Sequence, residues 1–424
     1  MIKLLKIGQK ASQNEVFAWN ILGSLASAAM STLLLLSVAR LLDSYNADVF
    51  SIAYAVGNLL ITVATFQVRD FQATDIKEKY SFNNYFYARV LTIFIMMLVA
   101  LGYVLMHGYD AYKSLCVLLI CFYRCSDALS DVFQGMFQQH ERLDIAGKSL
   151  FFRNGFIFVG FTAALLMTHQ LLFSLVIMNV LSFVFVFGFD FLLSRYFSKI
   201  KAFHFSFKQI RGLLVESSPL FINAFMLVSI YNQPKYALDN LFERGLLDVG
   251  VQTDFNILFM PVFAMNLTMI FFRPMMTQMA IFLEKKEYES FVHYRRKLLR
   301  LLVVTSFLIL AVVSVIGVPI LNIVYSTNLN RYLVAFIILM VGGIASTFAT
   351  VCDNILTVLR KQKLLVISFA SGFCVSYLSA NPLVEHYGIY GASISFTLSM
   401  LTWLLVSLII YFSAKDSYKY KEKK

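Results

Sequence analysis

The sequence predicts an all-α, polytopic membrane protein of about twelve transmembrane helices, arranged as two parallel six-helix halves. Three observations predict it. Over 424 residues, 59% are hydrophobic and only 14% charged, with mean hydropathy +0.72, which excludes an ordinary soluble domain. Apolar runs of about 20 residues, enough to cross a bilayer, recur along the whole chain. The basic residues alternate between successive connections.

Taken in order, the apolar runs fall at about 15–40, 47–68, 85–106, 114–138, 152–168, 171–194, 213–232, 249–279, 300–324, 332–358, 364–380 and 388–413. Assigning alternate connections to the cytoplasm places 28 Lys and Arg on that side. The opposite side has five (Arg40, Lys113, Lys235, Arg244 and Arg331), and three (Arg89, Arg124 and Arg273) fall within spans. Such a split orients both termini to the cytoplasm. Ala26-Ser27-Ala28 has the look of a signal-peptidase site, yet the apolar run continues to Ala39, so the first span is read as uncleaved.

Several features recur at a nearly constant offset. Leu41-Leu42-Asp43 is followed by Phe50 as Leu246-Leu247-Asp248 is by Phe255, and Asn20, Arg69 and Tyr87 have counterparts in Asn223, Arg273 and Tyr294. The register divides the chain into lobes of 1–200 and 201–424 joined by a basic segment. Because each half has an even number of spans, the repeat is parallel. Asp353 is then the rough counterpart of Asp131.

The fourth span carries charges that a membrane span should lack. Arg124, Asp127 and Asp131 lie three and then four residues apart, and Gln134 and Gln138 continue the series, so all five share one helical face. Arg124 sits roughly 15 Å from the outer end of the run, near the middle of a core about 30 Å thick. Each such charge costs roughly 2.5–3.5 kcal/mol facing lipid. The stripe must therefore face protein or water. It is either an internal ion pair tying helices together or the wall of a hydrated cavity, and two carboxylates beside one arginine favour the cavity.

The candidate substrate-binding cations are Arg40, Arg69, Arg124, Lys235 and Arg273. Arg40 and Lys235 lie near outer ends, where long stems snorkel. Arg69 closes span 2 and doubles as an orientation charge. Arg273, followed by Pro274, sits deeper in span 8. Guanidinium pairs in such a cavity suit an anionic head group such as a diphosphate. Asp127, Asp131 and Asp353 are the candidates for ion coupling. As like charges one turn apart, Asp127 and Asp131 are placed to take up a cation or a proton. Met260-Pro261 and Ser218-Pro219 put prolines in spans 8 and 7 as candidate hinges.

No catalytic residue, cofactor or metal is expected. Phosphate loops, His-Glu metal helices and Gly-x-Ser-x-Gly elbows are absent from the sequence, so transport would run on gradients or on the membrane potential. The net charge of +12 sorts by membrane side instead of clustering, which argues against nucleic acid. The five cysteines lie in apolar spans without metal-ligand spacing and read as small buried hydrophobes.

The string Gln134-Gly135-x-x-Gln138-x-x-x-Arg142-Leu143-Asp144-x-x-Gly147-Lys148-Ser149, with Arg69-Asp70, Pro219 and Asn223, Met260-Pro261 and Gly317-x-Pro319-x-Leu321, resembles a known family. It is that of the polysaccharide repeat-unit (O-antigen and capsule) flippases, within the multidrug/oligosaccharidyl-lipid/polysaccharide exporter superfamily. The resemblance implies a V-shaped pair of lobes around a cationic cavity, in a bacterial inner membrane. It implies a substrate, an undecaprenyl-diphosphate-linked oligosaccharide moved from the cytoplasmic to the outer leaflet, with the membrane lipid, a polymerase and glycosyltransferases as partners. A cation-coupled multidrug antiporter of the same superfamily would need the aspartates more than the arginines. A lipid II flippase has two further spans, and an assembly scaffold would tolerate charge neutralisation.

Overall fold

The computed structural model describes the backbone of residues 11–75, 79–198, 206–267, 269–359 and 361–422. Helices account for nearly all of it: α1 (Gln13–Leu41), α2 (Ser44–Thr65), the short α3 (Val68–Thr74), α4 (Phe82–His107), α5 (Ala111–Gln139), α6 (Leu143–Thr168), α7 (Leu171–Ser194) and α8 (Phe207–Glu243). The series continues with α9 (Val251–Leu267), α10 (Met269–Glu284), α11 (Tyr288–Tyr325), α12 (Leu333–Val358), α13 (Leu365–Tyr387) and α14 (Ile389–Glu422). Among the described residues, ten helices are long and apolar enough to cross a membrane. The remaining expected spans are α5, whose charges lower its hydropathy, and α9 with α10, which together cover 249–279.

Several helices run beyond their apolar windows. The hydropathy pattern places span 5 at 152–168, but α6 begins at Leu143, and α8 and α11 likewise start earlier than their runs. Hydropathy marks only the part of a helix that meets lipid: the polar first turns of α6 are buried against protein, whereas those of α8 and α11 are largely exposed. Four other helix starts are set by local chemistry: Ser12, Asp43, Ser81 and Asp110 each accept a backbone amide of the first turn of α1, α2, α4 and α5. In the repeated Leu-Leu-Asp…Phe pattern, Asp43 is thus a cap, and both Phe50 and Phe255 are buried.

The chain divides into two compact units, Met1–Val228 and Ser229–Lys424, with the division inside α8. It falls later than the expected 200/201 boundary because the first turns of α8 hold to the first unit. There the Asn84 side chain meets Gln209, the Ser206 amide donates to Asn84 at 3.0 Å, and Phe66 stacks on Phe221 with centroids 4.2 Å apart.

Within the first unit α5 is the central helix, contacting α2, α3, α4, α6 and α7. Its apolar face, with Val132, Phe133, Met136 and Phe137, is buried against Tyr85, Ile145, Leu193 and Leu213. That leaves the polar stripe facing α2, α3 and α6, away from lipid. Helices α1 and α6 approach closely at Gly23 and Gly147: a Cβ on Gly147 would lie 2.3 Å from the Trp19 carbonyl oxygen. In the second unit α14 packs on both α12 and α13. Four cysteines are buried, whereas Cys374 is exposed on α13.

Candidate functional site

The break between α2 and α3 positions the first site residue. Phe66 and Gln67 are both left-handed (φ 46° and 53°), a conformation costly for residues with a Cβ. The pair redirects the chain so that Arg69, on the first turn of α3, reaches the stripe of α5. Its guanidinium contacts Asp131 at 3.2 Å, Gln134 at 2.9 Å and Gln138 at 3.4 Å. From α4, the buried Arg89 donates to the other Asp131 oxygen at 2.7 Å and to the Ala64 carbonyl at 2.6 Å. Asp131 is therefore shared by two guanidiniums.

Asp127 is treated the same way. Arg124, one turn earlier on α5, donates to it at 2.7 Å and also to Asn58. Arg153 of α6 donates to the opposite oxygen and, at 3.2 Å, to Ser126. The Arg124 guanidinium lies over the Tyr54 ring, 4.4 Å from its centroid, a favourable cation–π geometry. Four guanidiniums thus hold two carboxylates, and the excess is positive. This corrects the sequence expectation of two carboxylates crowding one arginine: Asp131 is not a partner of Arg124, and each carboxylate has its own pair of cations.

The cluster walls a cavity of about 250 Å³, lined by Arg69, Arg124, Arg153, Asp127, Asp131 and Asn154, with Tyr54, Tyr123 and Gln134 among its other walls. The alternatives of ion pair and cavity wall are both realised, since the same side chains do both. The wall is also short of acceptors. Arg124 Nε, Arg153 Nε and Asn154 Nδ2 are buried with no hydrogen-bond partner among the described residues. Buried donors of this kind cost about 1–3 kcal/mol each until something accepts from them. Chemically, the site can hold oxygen-rich, negatively charged groups.

Arg89 and Arg153 are members of the cluster that sequence reasoning missed. Hydropathy assigns Arg153 to the connection before span 5 and leaves Arg89 as a mere charge within span 3. The available signal was their type: an arginine within an apolar helix needs a carboxylate, and α5 offers two.

The other candidates lie elsewhere. Arg40 is exposed at the end of α1 and does not line this cavity. Lys235 belongs to the second unit, buried with its ammonium 4.9 and 5.2 Å from the ring centroids of Phe259 and Phe263. Arg273 lies on α10, and its side chain falls outside the described residues. Asp353 is buried in the second unit, where it accepts from Trp403 Nε1 at 3.0 Å and Ser407 Oγ at 2.7 Å. Pro261 lies inside α9.

The Gln134-to-Ser149 string turns out to be the α5–α6 corner. Gln134 and Gln138 hold Arg69, Arg142 makes a bidentate pair with Asp144 at 2.8 and 2.9 Å, and Lys148 meets Glu15 at 2.8 Å. Gly147 permits the α1 approach described above.

With the helices and the buried charge cluster in place, the fold can be compared with known proteins. No family model and no curated protein sequence matches the chain. Solved structures do. A multidrug-resistance MATE family transporter of the MOP superfamily, in its inward-facing conformation, aligns over 99% of this chain and 97% of its own with TM-score 0.65 at 12% identity. A Vibrio cholerae MATE transporter in the bent form aligns over 95% and 97%, TM-score 0.58, 11% identity. A MOP superfamily transporter from Pyrococcus furiosus, for which reversed polarity of the binding pocket is taken to suggest a different function, aligns over 96% and 95%, TM-score 0.56, 12% identity. The chain therefore has the fold of the MATE transporters of the MOP superfamily. These neighbours show the fold that the superfamily expected from the sequence would have, but lend no support to its polysaccharide-flippase branch, to capsule or to O-antigen.

Proposed function

We propose that this chain is an alternating-access transporter whose first unit receives an anionic group of an amphiphilic substrate in the arginine-lined cavity. The observation that carries this reading is the wall itself: three guanidiniums, those of Arg69, Arg124 and Arg153, against two carboxylates, with unpartnered donors on three cavity residues. An anion satisfies both the charge and the donors, and guanidinium suits a phosphate or diphosphate in particular. A lipid-linked oligosaccharide carried on a diphosphate is one substrate with that head group.

A second reading is a cation-coupled multidrug antiporter. The solved neighbours support it better than the flippase, because those described by substrate are multidrug transporters. In that reading Asp127 and Asp131 serve the coupling cation and the arginines are dispensable. Proteoliposomes separate the two, loaded either with a fluorescent polyprenyl diphosphate or with a cationic dye under an imposed gradient. Movement of the diphosphate lipid that is lost in Arg124→Ala is the expected result. Dye transport that survives Arg124→Ala and fails in Asp127→Asn assigns the antiporter instead.

A further inference from the structure

The carboxylate of Asp190 is treated unlike those of the cavity. It lies in a π-helical turn of α7, Val186–Phe191, and is fully buried. Turns of this kind, one residue wider than an α-turn, recur at functional positions. Where Asp127 and Asp131 have two guanidiniums each, Asp190 has two hydroxyls: Ser130 Oγ of α5 donates to Oδ2 at 2.6 Å and Ser149 Oγ of α6 to Oδ1 at 2.5 Å. Among the described residues no salt bridge reaches it. The charged group near enough to be felt is Arg153 of α6, which is committed to Asp127. On α5, Asp127 and Asp131 flank Ser130 but are held by their own arginines, α7 has no other charged residue, and Arg195 beyond the turn lies over the Phe191 ring.

Asp190 is nevertheless wired to the cavity. Ser130 Oγ, while donating to Asp190, accepts from Gln134 Nε2 at 2.9 Å, and Gln134 Oε1 accepts from Arg69 at 2.9 Å. Every bond in this chain has a direction, and the direction depends on whether Asp190 holds a proton. When it is ionised, Ser130 must donate to it, so Gln134 must offer its NH2 to Ser130 and its oxygen to Arg69. A proton from water, placed on Oδ2, reverses the first bond. Ser130 then accepts from Asp190 and donates onward, the Gln134 amide turns to present its oxygen to Ser130, and Arg69 loses an acceptor.

We propose that Asp190 is a proton-binding site whose occupancy, relayed through Ser130 and Gln134, frees one N–H of Arg69 for the cavity and so sets the affinity of the cavity for an anion. The inference rests on the transport reading above for its purpose, but not for its chemistry. Only the Ser130 side of the carboxylate leads to the cavity, since Ser149 ends the network on the other side. The relay therefore predicts different behaviour for two serines that bond the same carboxylate.

The test uses the full-length protein and two readouts. In pH-difference infrared spectra, the wild type should show a titrating carboxylic-acid C=O band that is lost in Asp190→Asn and displaced in Ser130→Ala. In proteoliposomes, the pH dependence of diphosphate-lipid transport should be lost in Asp190→Asn and Ser130→Ala and retained in Ser149→Ala. An unchanged band in Asp190→Asn overturns the proton site. Should that variant not fold, an undisplaced band in Ser130→Ala overturns it equally. Loss of the pH dependence in Ser149→Ala but not in Ser130→Ala overturns the relay. A wild type that moves no diphosphate lipid at any pH defeats the proposed substrate, and the infrared bands alone then decide the proton site at Asp190.

Discussion

Arg124 and Arg89 touch the same cluster, yet their removal should fail in different ways. Without Arg124, Asp127 keeps Arg153, and what is lost is one of its two ion pairs, the bond to Asn58 and the contact with Tyr54. That should cost about 1–2 kcal/mol of stability, so Arg124→Ala is expected to reach the membrane in near-normal amounts and to lose transport of an anion. Arg124→Lys should recover part of it, because an ammonium keeps the charge but not the planar fork. Arg89 is 1% exposed and joins Asp131 to the Ala64 carbonyl. Asp131 would keep Arg69, but Arg89→Ala empties the volume of a large, fully buried side chain and should cost about 3–5 kcal/mol, seen as poor expression and an unfolding temperature lowered well beyond that of Arg124→Ala. Equal thermal stability of the two variants would contradict this division. Periodicity alone makes the Arg124, Asp127 and Asp131 face legible. Their partners are not legible, because Arg69, Arg89 and Arg153 approach from three other helices and sequence spacing does not report which helices become neighbours.

Elements are held by features that hydropathy does not see. On α6, Gly147 meets the backbone of α1 and Gly155 has open space where a Cβ would be. Gly147→Ala should push α1 and α6 apart at a cost of about 1–3 kcal/mol, while Gly155→Ala should be neutral or slightly stabilising through helix propensity. Thermal unfolding of the two variants in one detergent checks this, each serving as the other's control. The connection between α3 and α4 depends on Asp75, which accepts the Lys79 amide at 2.9 Å, the Tyr80 amide at 3.1 Å and the Tyr85 hydroxyl at 2.8 Å. Burial pushes its carboxyl up, but these donors together outweigh burial and hold it below the ordinary value. Because the folded value is depressed, the stability it contributes is complete above an unfolded pKa of about 4 and fades as pH falls through the folded value. Asp75→Asn should be less stable at neutral pH, and the gap to wild type should close below pH about 4. A gap of constant size across that range would show that Asp75 acts through packing. The start of α6, nine residues earlier than its apolar run, illustrates what the sequence hides. Its first turns are polar yet buried, so a lipid-based reading places Arg153 outside the membrane.

For the molecule as a whole, the distribution of charge predicts an orientation. The structure removes two cations from the cytoplasmic tally, because Arg69 and Arg153 line the cavity, but 28 less two is still 26 against five. The ion pairs at helix ends agree with the alternation behind that count. Arg331, in an outer connection, pairs with Asp254 near the outer end of span 8 at 3.4 Å, Arg244 pairs with Glu385 across two outer connections at 3.1 Å, and Lys79, in an inner connection, pairs with Glu216 near the inner end of span 7 at 2.5 Å. Had one span been gained or lost between any of these partners, a pair would join opposite faces of the membrane. The remaining choice is the sign, and the positive-inside bias makes it. A cysteine at Glu289, in the first turn of α11, should thus react with a membrane-impermeant maleimide only after the cytoplasmic side is opened. A cysteine at Glu385, near the end of α13, should react in intact cells. All four buried native cysteines should be silent in both conditions, with Cys374 replaced by serine as a precaution because it is exposed on α13. Labelling of position 289 in intact cells would invert the protein. It would also turn the Asp190 end of α7 toward the outside, so that the proton proposed to bind there would come from the outer side.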